Sequence, residues 1–412
     1  MIAGTEAALD IKRDGVRWQV GRRNGPETGS PLGNNTDLHS APPHPYAISE
    51  PGPDGLKVTR DAKRWLARAH GRRLLWAAGC GNRRPSSCGL RLRHGARGVD
   101  VYRCPDGPRG RVSGVCNCGQ PLLCPVCSPR VSAFRAGECE QGFERAASRG
   151  WKAHLLVFTA PHKASSSLLS EVDFWRGSWE EMMASSRAAH RLKKQRLGHF
   201  GGPELTWTEN AGWHFHRNLV VFHDGALDVE AHKSRWMGCL GSRYSMGAER
   251  HAFDAKPMDS ADMARYCAKH GAEIAWAEGK SSSITPLSLL VKSALRGAEC
   301  PQWVEAVNVV AARKLSIVRW SRGLRAELGM SGEKTDEKIA EEKGRVSDEL
   351  LGTLTSTQWR FVVSRRLEYR LLQEAQLGRE NLECFMHANG LGDLLSPEQL
   401  AGAFPVFGST VT

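Results

Sequence analysis

The spacing of apolar residues changes period repeatedly through the middle of the chain, and each change marks an element. WKAHLLVFT at 151–159 is a short apolar run of strand length. Leu168, Leu169, Val172, Trp175, Trp179 and Met182 then recur at steps of three and four. That is the stripe of an amphipathic helix, expected to end in the basic run HRLKKQRLG. ELTWTE and WHFHRNLVVF follow as strand-like segments around the turn formers Asn210-Ala211-Gly212, so an antiparallel hairpin is predicted, with Leu219 to Phe222 as its buried end. Met258-Asp259-Ser260 reads as a capping region, ADMARYCAKH as a helix and Gly271 as its stop. Beyond residue 300 the pattern is mostly helical, with no internal repeat and no sustained heptads.

The flanks have a different texture. Residues 1–57 are rich in Gly, Pro, Asn and Ser with almost no apolar periodicity, the composition of a disordered leader. LKVTRDAKRWLARAHGRRLLWAAG predicts a basic helix. Residues 80–140 hold eight of the twelve cysteines among many turn formers, which suits a small module organised by metal. The expected division is a leader at 1–57, a basic helix with a cysteine-rich zinc module at 58–145, an α+β domain at 150–280 with a central antiparallel sheet flanked by helices, and a mostly helical region at 281–412.

Composition narrows the partners. Lys and Arg number 57 against 44 Asp and Glu, a net charge of +13 that favours a polyanion such as DNA. No stretch reaches the roughly 18 apolar residues of a membrane span, and the first residues lack the apolar stretch of a secretory signal. A cytoplasmic protein with no membrane partner is expected, where clustered cysteines are metal ligands rather than disulfides.

Three constellations carry chemistry. On a strand, His214 and His216 project to one face while Phe215 packs into the other, the geometry for a shared divalent cation. Taken alone, a His-x-His is more often two surface imidazoles. Glu204, Glu209 and His162 are the candidate third ligands, and an acidic one would suit Mg²⁺ or Mn²⁺. On the predicted helix, Asp262, Tyr266 and Lys269 share a face: a phenol, an ammonium to ease its charge, and a carboxylate to act as base or position a water. Cys116-Asn117-Cys118 followed by Cys124-Pro125-Val126-Cys127 is a thiolate knuckle for structural Zn²⁺, which the nearby pair or Cys104 completes, with Cys80 and Cys88 as further candidates. Trp207 and Trp213 beside the hairpin turn could stack on unpaired bases or fill the core.

The order of these motifs, a strand ending FTAPH, then His-x-His on a strand, then Tyr-x-x-Lys on a helix, is that of the HUH endonucleases. CGQPLLCPVCSPRVSAFRAGE, LLVFTAPHKASSSL, ELTWTENAGWHFH and MARYCAKHG together resemble the replication initiators of bacterial rolling-circle plasmids, as do RKLSIVRWSRGLRAELG and KTDEKIAEE. The resemblance runs from about residue 75 to about 390. It implies an HUH domain and an origin-specific nickase in which Tyr266 is the nucleophile, Lys269 its helper, and His214 and His216 hold the metal. It further implies a 5′-phosphotyrosine link, a free 3′-hydroxyl, and reliance on a host helicase and polymerase. Gly279-Lys280-Ser281 lacks the earlier glycine of a phosphate-binding loop, Ile274 standing there. Related initiators often carry a further histidine where this chain has Asn218. Single-tyrosine HUH transposases and relaxases share the same chemistry, and a zinc-containing DNA-binding regulator without catalysis is the reading from another class.

Overall fold

Two antiparallel sheets with helices around them make a mixed α+β fold. In the computed structural model the described residues are 60–107, 109–184, 186–241, 249–259, 284–341, 344, 346–396 and 399. The expected leader at 1–57 lies outside them.

The larger sheet has the order β6-β3-β5-β4-β7. Its centre is β5 (Gly212–His223), paired on one side with β4 (Gly198–Thr208) and on the other with β3 (Lys152–Thr159). The predicted hairpin is present, and Gly212 closes its turn with φ of 70°, a left-handed conformation that glycine adopts without a Cβ clash. Strand β4 runs further back than the hydrophobic pattern suggested, through Gly201 and Gly202. A Cβ at Gly202 would strike the Ile317 carbonyl, so glycine is what lets that segment lie directly on the strand. The outer members are β6 (Phe253–Met258) and the two-residue β7 (Arg319–Trp320).

Helix α3 (Leu168–Met183) follows the predicted stripe: Leu168, Val172, Trp175 and Met182 are all buried. Ser167 Oγ accepts from the Ser170 amide at 3.2 Å and starts it. The basic run does not extend this helix as expected. Ser186 Oγ accepts from the Ala189 amide at 3.0 Å and starts a separate helix, α4 (Arg187–Lys194).

Helix α3 and helix α5 (Val229–Leu240) cover one face of the sheet. Trp175 meets Phe215 edge-on at 5.7 Å and Trp236 meets Phe158 at 5.4 Å. Both indoles satisfy their N–H groups on the β3 backbone, Trp175 on the Phe158 carbonyl and Trp236 on the Thr159 carbonyl. Each such side chain contributes a few kcal/mol of burial, so this face is the anchored one. Because strand side chains alternate, His214, His216 and Asn218 emerge on the opposite face. Phe200, Phe222 and Trp320 close the far end of that second face.

The smaller sheet, β2-β1-β8, joins distant segments. β1 (Val99–Arg103) pairs with β2 (Arg111–Ser113) and with β8 (Glu349–Leu354). Val99, Val101, Leu354, Trp359 and Leu371 form a second apolar core around it. Past residue 284 the chain supplies helices Pro286–Arg296, Pro301–Arg313, Ser356–Ser364, Glu368–Leu377 and Arg379–Ala388. It also supplies β7 and β8, strands that the reading of a mostly helical region did not foresee. None of the described helices is long and apolar enough to cross a membrane.

Candidate functional site

Strand register builds an imidazole and carboxylate cluster on the second face of the larger sheet. Glu204 of β4 stands directly opposite His216 of β5. Its Oε2 lies 2.8 Å from His216 Nε2 and accepts from Asn218 Nδ2 at 3.3 Å. Asn218 therefore holds the carboxylate that faces the imidazole. On the other side, His162, three residues beyond the end of β3, brings its Nδ1 to 3.4 Å from Nδ1 of His214. The His214 and His216 rings are 5.0 Å apart, and those of His214 and His162 4.9 Å.

Of the three candidate third ligands, Glu204 and His162 sit with the pair, while Glu209 is exposed in the hairpin turn. Burial, and then the imidazoles of His216 and His162, pull the His214 pKa down from 6.5 to about 4. Its ring is thus neutral at neutral pH, the form that ligates metal. His216 Nδ1 is buried with no hydrogen-bond partner among the described residues.

The sequence expectation for Asp262, Tyr266 and Lys269 lies outside the described residues. The chain on either side of them is anchored on this sheet. β6 ends at Met258, paired with Ala153, and Ile284 makes both backbone hydrogen bonds to Trp207, at 2.8 and 2.9 Å, one register pair from His214. Trp213 is a core residue: it is buried, and its Nε1 donates to Glu305 at 2.7 Å. Trp207 is half-buried.

The second cluster is made of sulfur. Cys88, Cys118, Cys124 and Cys127 are buried together, their Sγ atoms all within 4.8 Å of one another. Cys88 lies 3.7 Å from Cys124 and 3.6 Å from Cys127, and Cys118 lies 3.7 Å from Cys127. Zn–S bonds of about 2.3 Å in a tetrahedron set sulfur atoms about 3.8 Å apart, whereas a disulfide requires about 2.05 Å. Four thiols at this spacing fit a structural zinc ion. Hydrogen bonding with the three neighbouring thiols holds the Cys88 pKa well down, while burial pushes Cys118 well up.

This ligand set differs from the expected one. Cys118, Cys124 and Cys127 are in it; Cys104 and Cys116 are not. Cys116 donates to the Leu92 carbonyl at 3.5 Å. Burial and the Asp348 carboxylate raise the Cys104 thiol to about 11. Cys88 takes the fourth corner, delivered by a short 3-10 turn at Arg84–Ser87 that no metal-binding spacing announces.

Fold and sites together define a mixed α+β protein with a four-thiol cluster and, apart from it, a sheet that carries an imidazole and carboxylate group. The chain is similar to a protein named Protein rep from Streptomyces lividans, at 25% identity over 304 residues, covering 55% of this chain and 66% of that protein. It is also similar to a protein named Neomycin resistance protein from Streptomyces cyanogenus, at 26% identity over 150 residues, covering 30% of this chain and 34% of that one. The chain thus spans under two thirds of the first relative's length and about a third of the second's. No family model matches the chain, and no solved structure matches it.

Proposed function

We propose that the chain is a plasmid replication initiator of the HUH type, which nicks one DNA strand through Tyr266 and leaves a 3′-hydroxyl to prime rolling-circle synthesis. The observation that carries this is the convergence of His214, His216, Glu204 and His162 at one sheet face, in a chain similar to a protein named Protein rep.

Imidazole nitrogens beside a carboxylate suit Mg²⁺ or Mn²⁺, and the partnerless Nδ1 of buried His216 is a donor atom without an occupation. His214, His216 and Glu204 would hold the ion, with Asn218 steadying Glu204. A bound ion would polarise the scissile phosphate. The Tyr266 phenol oxygen attacks phosphorus and the bond to the 3′ oxygen breaks. The phenol gives up its proton, the departing 3′ oxygen takes one up, and the 5′-phosphate stays on the tyrosine. Lys269 eases the phenolate charge, and Asp262 is the carboxylate placed to activate the water that ends the reaction. The anchoring of both flanks of residues 260–283 on the sheet supports this reading. The thiol cluster is proposed as structural zinc, and a host helicase and polymerase as partners.

The test is incubation with single-stranded DNA of the cognate replicon and Mn²⁺ or Mg²⁺, followed by denaturing gels, beside Tyr266→Phe. A protein-linked DNA band lost in the variant is expected. No adduct on any fragment would replace the nickase with a zinc-containing DNA-binding regulator.

A further inference from the structure

The strand that carries the histidines carries, on its other face, an arginine that meets no carboxylate among the described residues. Arg217 lies between His216 and Asn218 and points to the α3 side, where its guanidinium sits 5.4 Å over the Trp175 ring. Among the described residues it makes no ion pair and no hydrogen bond, and its Nε is buried and unsatisfied. It lines a cavity of about 180 Å³ shared with Arg176, Arg313, Arg319 and the half-buried Trp179.

Four guanidiniums around one small cavity is an unbalanced arrangement. Arg313 is held by Asp173 at 2.5 Å, and Arg319 donates to the Lys314 carbonyl. Arg176 is exposed and has no ion pair or hydrogen bond among the described residues. Glu180, the one carboxylate in the lining, is exposed. Burial, and then Arg319 and Arg176, lower the Arg217 pKa to about 10, a cation pressed by like charge and desolvated at once. Such a group is costly unless an anion meets it.

Two other cavities of the described residues are different. Beside the thiol cluster, Arg64 and Arg109 share Asp61, Arg111 has Asp348 and Arg68 has Glu368. In another, of about 500 Å³, Arg135 has Asp336 and Arg84 has Glu337. The arginines named there meet carboxylates of the chain itself, and Arg83 is held by the Asn308 side-chain oxygen at 2.8 Å.

We propose that the cavity behind the hairpin binds one phosphate group, with Arg217 as its principal donor and Arg176 at its entrance. The space is well below the roughly 300–1000 Å³ of drug-sized ligand sites, which suits a single anionic group. Resting on the nickase reading, the phosphate is a phosphodiester of the same single DNA strand served at the histidine face, with Trp179 beside it as a platform for a base. The β5 strand would then grip substrate with alternate side chains on its two faces.

The experiment is fluorescence anisotropy of the full chain with a fluorescein-labelled thymidine oligonucleotide across a series of salt concentrations. It is run for the parent, Arg217→Gln, Arg217→Lys and Arg176→Gln, with circular dichroism as the fold check. Arg217→Gln should bind about tenfold more weakly, the size of one charge-assisted hydrogen bond lost. Its plot of log affinity against log salt should be shallower by about 0.7. Arg217→Lys should recover part of the loss, and the exposed Arg176→Gln should lower affinity severalfold without any folding question.

Inorganic phosphate serves as the second probe. If oligonucleotide affinity is unchanged but phosphate raises the melting temperature of the parent and not of Arg217→Gln, the cavity takes its phosphate from solution rather than from DNA. If neither probe responds to Arg217 or Arg176, the site is overturned. Weakened DNA binding in these variants without any Tyr266 adduct in the parent would refute the nickase and keep the site. Normal adducts with unchanged binding would do the reverse.

Discussion

Replacing Cys88 with serine removes one corner of the thiol tetrahedron and leaves Cys118, Cys124 and Cys127 in place. Sulfur spacings of 3.6 to 3.7 Å match the edge of a zinc tetrathiolate so closely that the ion needs little rearrangement to enter. Structural zinc contributes on the order of 10–16 kcal/mol in the smallest metal-folded modules, as much as the whole stability of an ordinary domain, about 5–15 kcal/mol. Among the described residues, the apolar side chains clustered with the thiols are Val131, Ile339 and Ala340, with Val126 and Phe134 at the edge, too little apolar surface to hold the thiols together without the ion. Cys88→Ser should therefore lose the zinc after exposure to a mild chelator and lose the local fold with it. Metal content by plasma mass spectrometry, read beside near-ultraviolet circular dichroism, gives both answers. Cys104→Ser and Cys116→Ser are the controls and should keep one zinc per chain. Full zinc retained in Cys88→Ser, with loss in Cys116→Ser, would move the fourth ligand from Cys88 to Cys116.

Two other perturbations follow from buried charge. Glu368 is buried between Arg72 at 3.0 Å and Arg68 at 3.3 Å, so Glu368→Ala leaves two buried guanidiniums without their carboxylate. A loss of about 3–5 kcal/mol in urea unfolding is expected, and a loss under about 1 kcal/mol would show that the pair is solvated. Burial, with Arg196 and Arg217 nearby, lowers the His199 pKa from 6.5 to about 4. Between those values the unfolded chain binds a proton that the folded chain does not, so stability is full above pH 6.5 and falls as pH drops toward 4. From pH 7 to 5 the His199 share is about 2 kcal/mol. His199→Gln should flatten the unfolding free energy over that window by this amount, and an unaltered slope would rule it out.

Elements with a strong period were legible from residues alone. The strand at 152–159, the helix from Leu168 and the hairpin all announce themselves by apolar spacing and a turn. Strand β6, FDAKPM, does not, because its edge position leaves half of its side chains exposed and a proline interrupts it. Strand β8, ELLGTL, carries a glycine in its middle and takes its order from distant β1. The choice of Glu204 over Glu209 was within reach of sequence, since stepping back from the Gly212 turn in cross-strand pairs puts Glu204 opposite His216. Cys88 stood only among the further candidates, and preferring it to Cys104 or Cys116 was out of reach: its place among the thiols depends on how a non-repetitive turn folds back over the knuckle, and no local period encodes that.

The pairing of β1 with β8 sets a timetable for the newborn chain. Val99 must wait for Leu354 before its strand has a second neighbour, and the thiols must wait almost as long for Ile339 and Ala340 to cover them. At roughly 5–20 residues per second of synthesis, that is on the order of ten to fifty seconds. During that interval four reduced cysteines are in the open, and a metal captured then would hold the early half of the module in readiness for the part of the chain that seals it.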